Sequence, residues 1–130
     1  MNRKYVFPVL LLCLAVACAS VAPGADPLVV NAERSINIAF ETVDTFLFVE
    51  KTHQADLAKV SPGIHAVAER IRGEGPEAFR KARRLIDVYK GARTDENKAN
   101  FMTAIAFVQA LANEVSPYLA KYEAAKAGGN

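Results

Sequence analysis

No cysteine follows position 18, tryptophan is absent, and no apolar run reaches the length of a membrane span. Without later cysteines the body of the chain has no disulfide framework and no reactive thiol. No Cys-x-x-Cys-His occurs to attach haem, and no Gly-x-Ser-x-Gly elbow or glycine-rich phosphate loop is found. These gaps leave hydrolase and nucleotide chemistry nothing to build on. The expectation is a protein that is not an enzyme and holds no cofactor. Charge of one sign is also lacking. The formal net charge is +2, and removing residues 1–17 takes away Arg3 and Lys4 but no acid, leaving fourteen bases against fourteen acids. The basicity therefore belongs to the start of the chain and does not point to nucleic acid.

What the chain does have begins at once. Two cations, Arg3 and Lys4, precede an apolar core from Val6 to Ala17, and small residues close it at Ala15-Val16-Ala17-Cys18. That order is an export signal, and its core is shorter than the roughly 20 residues of a spanning helix. The Ala15–Cys18 stretch resembles the bacterial lipoprotein box, in which small residues precede a Cys that becomes the lipidated N-terminus. It departs from that pattern at Ala15, where Leu is usual. The resemblance implies a signal peptide over 1–17, lipidation at Cys18 and a tether over 18–27, with the domain held at a membrane and facing the periplasm or cell exterior. Cleavage after Ala17, Ala19 or Ser20 without lipid would give a soluble secreted form instead.

Beyond the tether, apolar residues fall into three stripes of alternating three- and four-residue steps, the spacing of one helix face. The first runs Val29, Ala32, Ile36, Ala39, Val43, Phe46, widened by Phe40 and Leu47. The second runs Ile64, Ala68, Ile71, Gly75, Ala78, Ala82, Leu85, Tyr89, flanked by Val67, Phe79 and Ile86. The third runs Phe101, Ile105, Val108, Ala112, Val115, Leu119, Tyr122, broadened by Met102, Phe107 and Leu111. Short connections force antiparallel neighbours. The expected fold is all-α: an up-down-up antiparallel three-helix bundle over 28–126, with helices at about 28–60, 62–91 and 95–125 and a frayed tail at 127–130.

Punctuation supports that division. Asp26 before Pro27, Ser61 before Pro62, and Thr94 before Asp95 and Glu96 all read as helix starts. Gly91 reads as a left-handed stop. Gly73-Glu74-Gly75-Pro76 opposes a regular helix, yet the apolar phase continues across it. A kinked or broken second helix is expected there, not a domain boundary. Pro117 is expected to bend the third.

Charge is divided unevenly along the helices. Residues 26–60 sum to −3, residues 61–93 to +4 and residues 94–130 to −1. Arg80, Lys81, Arg83 and Arg84 form the dense basic part. They are either a patch for an anionic surface or the partners of an acidic first helix. A weaker apolar stripe on the first helix, Ile38 and Val49 with Phe48 beside it, is either a docking stripe or further core. His53 and His65 flank the first turn with Asp56 and Glu69 nearby, but the spacing is not that of a zinc motif and no metal is expected. The functional expectation is an exported, lipid-anchored, non-enzymatic bundle that works by contact. Its partners would be a membrane, an envelope protein or cell-wall component, and a second copy of the chain. The alternative is a periplasmic bundle that binds a small ligand or metal, using the histidine turn or a cavity near the Gly73–Pro76 kink.

Overall fold

A computed structural model describes residues 24–128, and these are all-helical, with four helices and no strand among them. The signal over 1–17, Cys18 and most of the tether lie outside the described residues. Helix α1 spans Pro27–Thr52, α2 Gln54–Val60, α3 Ile64–Gly91 and α4 Asp95–Gly128. Each long helix packs on the other two. Lys90 pairs with Glu33 and Arg72 with Glu50, so α3 runs opposite to α1. Arg70 pairs with Glu114 and Tyr89 stacks on Phe101, so α4 runs opposite to α3.

Local chemistry explains the first and last starts. Asp26 Oδ1 accepts from the Leu28 amide at 2.9 Å, with Pro27 at the first helical position. Thr94 Oγ1 accepts from the Asn97 amide at 3.1 Å, with Asp95 and Glu96 in the first turn. Each satisfies an amide that the helix leaves without a partner.

The other boundaries differ from expectation. The first segment is not one helix to residue 60 but divides at His53, whose backbone (φ −129°, ψ 32°) leaves the helical region. A straight helix would carry His53 into the seam; bent, it leaves the ring exposed against Tyr122, with centroids 5.2 Å apart. Leu57 resumes the buried line beyond the bend. Ser61 caps no following helix. It ends α2 by donating its amide to the Leu57 carbonyl, and α3 starts at Ile64 rather than 62. Gly91 is not left-handed: the only positive-φ glycine among the described residues is Gly24, and extended Ala92 ends α3.

Helix α3 runs as one helix through Gly73, Gly75 and Pro76, so it is not broken there. Its buried line nevertheless changes. Ile64, Ala68, Ile71 and Gly75 are followed by Phe79, Ala82, Ile86 and Tyr89, so the expected Ala78 and Leu85 give way to Phe79 and Ile86. A straight helix drifts about 20° per heptad against a strict seven-residue repeat, and two successive four-residue steps correct the drift. The larger side chains take the interior, and Ala78 and Leu85 are left half-buried. On α4, Met102 and Phe107 are exposed and do not broaden the stripe; Ala104 and Leu111 do. Helix α4 continues through Pro117 to Gly128. The core is one continuous cluster, with Phe46, Leu57, Ile64, Ile71, Phe101 and Val108 fully enclosed.

Candidate functional site

Two features rise above ordinary helix packing: a buried acid between α1 and α3, and an open cleft between α3 and α4. The acid is Glu50, at the next four-residue step after Phe46, and only 2% exposed. Its Oε1 lies 2.9 Å from His65 Nδ1, and its Oε2 accepts from Arg72 Nη2. Arg72 also donates to Glu69 one turn back. Burial alone would push the Glu50 carboxyl up; the hydrogen bonds from His65 and Arg72 and the nearby Arg72 charge outweigh it and hold it below its ordinary value of 4.5. The hydrogen bond to Glu50 raises Arg72 in turn.

Proton placement follows from the partners. An ionised carboxylate only accepts, so His65 Nδ1 carries the hydrogen toward Glu50. Gln54 Nε2, 3.2 Å from the same nitrogen, then has no lone pair to donate to there. All of Glu50's polar atoms are satisfied, since no buried side-chain nitrogen or oxygen among the described residues lacks a partner. The cluster clamps α1 to α3. It presents no group poised over an open pocket.

The cleft has a volume of about 650 Å³, within the range of small-ligand sites. Ala78, Leu85, Ala104 and Phe107 give it an apolar lining; Glu74, Glu77, Lys81, Asn100 and Thr103 form its polar part. It exists because α3 offers Ala78 and α4 offers Ala104 where larger side chains would meet. Phe107 stands at its wall, 49% exposed. A recess of about 470 Å³ also lies at the far end, lined by His53, Asp56, Lys59, Tyr122, Ala125 and Lys126.

The structure separates the residues singled out from the sequence. His65 faces Glu50 and His53 faces Tyr122, while Asp56 pairs with Lys59 and Glu69 with Arg72. Among the described residues no three His, Cys, Asp or Glu side chains are grouped to hold a metal ion. In the basic run, Arg80 pairs with Glu77, and Arg83 lies over Phe40, 5.7 Å from the ring centroid. Lys81 and Arg84 make no ion pair among the described residues. The bridges to acidic α1 come instead from Arg72, Lys90 and, just past α3, Arg93. Ile38 and Phe48 are 58% and 64% exposed, whereas Val49 packs against the core. Among the described residues no helix is long and apolar enough to cross a membrane.

Glu50 is missing from the sequence expectations although the signal was present. The step from Val43 to Phe46 continues to position 50, and a charge on a seam has to be paired. Comparison with known proteins returns no match: no family model, no curated protein and no solved structure aligns with the chain.

Proposed function

We propose that this chain is an exported protein, anchored by lipid at Cys18, whose mature part is an up-down-up antiparallel three-helix bundle with a bent first limb. It acts without catalysis, through contact with an envelope partner. The observation that supports contact is the exposure of Ile38 and Phe48 on a helix whose other face is tightly packed. A partner that covered them would remove apolar surface from water, a gain of about 25 cal/mol per Å². Anchoring rests on the Ala15–Cys18 stretch after a basic, apolar start. Several acyl chains, at roughly 0.8 kcal/mol per buried methylene, would hold the domain at a membrane.

Metabolic palmitate labelling tests the anchor. Wild type should label and partition with membranes, and Cys18→Ser should do neither. Equal labelling of both, or of neither, removes the anchor from the proposal. The contact surface has its own check: Ile38→Ser with Phe48→Ser should leave the melting temperature nearly unchanged, because neither side chain is in the core. A loss of several degrees would assign both residues to packing.

A further inference from the structure

We infer that the cleft between α3 and α4 binds a single-chain anionic amphiphile, its hydrocarbon tail along Ala78, Leu85, Ala104 and Phe107 and its acidic head at Lys81 and Arg84. Shape and charge select this occupant together. The exposed surface of the lining is mostly apolar, and a volume of about 650 Å³ accommodates a short hydrocarbon chain. Charge then decides the head. The two acids at the cleft are already engaged, Glu74 with Arg70 at 3.4 Å and Glu77 with Arg80 at 2.9 Å. Lys81 lines the same cleft without an ion pair among the described residues, and exposed Arg84 follows three residues on, hence beside it on the helix surface. The uncompensated charge at this mouth is positive. Opposite it, α4 contributes Asn100, whose side-chain amide can donate to a carboxylate or phosphate head, and Thr103, whose hydroxyl already donates to the Ala99 carbonyl and leaves its methyl group to the lining. Exposed Val88, one turn past Arg84, extends the apolar edge.

A neutral amphiphile would leave both cations unused, and a cationic one would meet them directly. A short anion would forgo the apolar lining. The inference does not depend on lipidation of Cys18, because the cleft lies wholly within the described helices.

Calorimetric titration of the full-length Cys18→Ser chain with decanoate, kept below its micellar concentration, tests it. Decanoate should bind at least tenfold more tightly than either acetate or decyltrimethylammonium and should raise the melting temperature. Lys81→Glu with Arg84→Glu should weaken decanoate at least tenfold and reverse the preference toward decyltrimethylammonium. Ala78→Leu should weaken decanoate by narrowing the cleft; Thr103→Phe, at an exposed position, blocks the same space if the first variant disturbs folding. Equal affinity for decanoate and decyltrimethylammonium, or no response to charge reversal, overturns the inference. So does binding to phosphatidylglycerol vesicles with none to monomeric decanoate, which would assign the cations to a membrane surface. Because every arm uses the unlipidated chain, failure here leaves the palmitate result standing, and the reverse also holds.

Discussion

Helix α3 meets its two neighbours in opposite ways. Toward α1 it is held by charge, with a smaller recess of about 280 Å³: Arg72 reaches buried Glu50, Lys90 reaches Glu33, and Arg83 lies over Phe40, which itself packs edge-on against Phe79. Toward α4 the interface is mainly apolar, with the small side chains of Ala78 and Ala104 leaving a cleft and Arg70–Glu114 as a long-range ion pair. One interface excludes alternative registers, because a displaced Glu50 would be a buried charge without a partner. The other tolerates space, and space is what a ligand needs. The same helix thus supplies both rigidity and a vacancy.

Taking the charged partner from the buried acid, and leaving it only His65, should produce the largest effect. Arg72→Met removes the guanidinium that holds Glu50 and should cost about 3 kcal/mol, read by urea denaturation. Arg70→Met, which breaks the exposed pair to Glu114, should leave the denaturation midpoint unchanged. Similar losses from both would mean that the two interfaces are not different in kind. Next in size is overpacking. Ala82 is fully enclosed, and Ala82→Leu should cost about 1–3 kcal/mol. Ala78→Leu, four residues earlier on the cleft side, should cost nothing or stabilise, since it buries methylenes in open space. If Ala78→Leu proves as costly as Ala82→Leu, the cleft is closed in solution.

Acid sharpens the comparison further. Glu50 titrates below its ordinary 4.5 in the folded chain. The unfolded chain therefore takes up this proton first, and the stabilisation from ionised Glu50 is complete only above that value. It is lost as pH falls through the folded pKa. Wild type should lose stability more steeply below about pH 4.5 than Glu50→Gln, which has no proton to gain there. Parallel curves would show that other carboxylates dominate the acid response.

These contrasts were only partly legible in the sequence. The starts at Asp26 and Thr94 were readable because a cap and its amide lie within three residues of each other. All-helical character was readable because three- and four-residue steps admit no strand. The boundary at Ser61 was not, since Ser61, Pro62 and Gly63 together offer several turn chemistries and Ser61 serves the helix before it. The exchange of Ala78 and Leu85 for Phe79 and Ile86 was hidden too. A strict heptad predicts a supercoiled seam, and which residue faces inward after three turns depends on how straight the helix lies against its partners. The cleft needs Ala78 and Ala104 opposite each other, a juxtaposition made by the turn between α3 and α4. The expected cavity near Gly73–Pro76 names only the end of the cleft at Glu74 and Glu77, and no spacing within either helix records the rest.

The smallest expected effect concerns the glycines beside that cleft. Neither Gly73 nor Gly75 has a positive φ, and both sit inside α3. A Cβ at Gly73 would meet nothing within 4 Å, and one at Gly75 would lie 3.6 Å from Ile71 Cγ2, an ordinary contact. Each change to alanine should therefore stabilise by about 0.5–1 kcal/mol, chiefly by restricting the unfolded chain. Gly73 faces solvent, whereas Gly75 is on the buried line just before the phase shift to Phe79. If Gly73→Ala stabilises and Gly75→Ala does not, the difference locates the tolerance for a methyl group: free on the outer face, refused where α3 turns its larger side chains inward. Equal gains would mean that both glycines are dispensable to the helix and that Pro76 alone perturbs it.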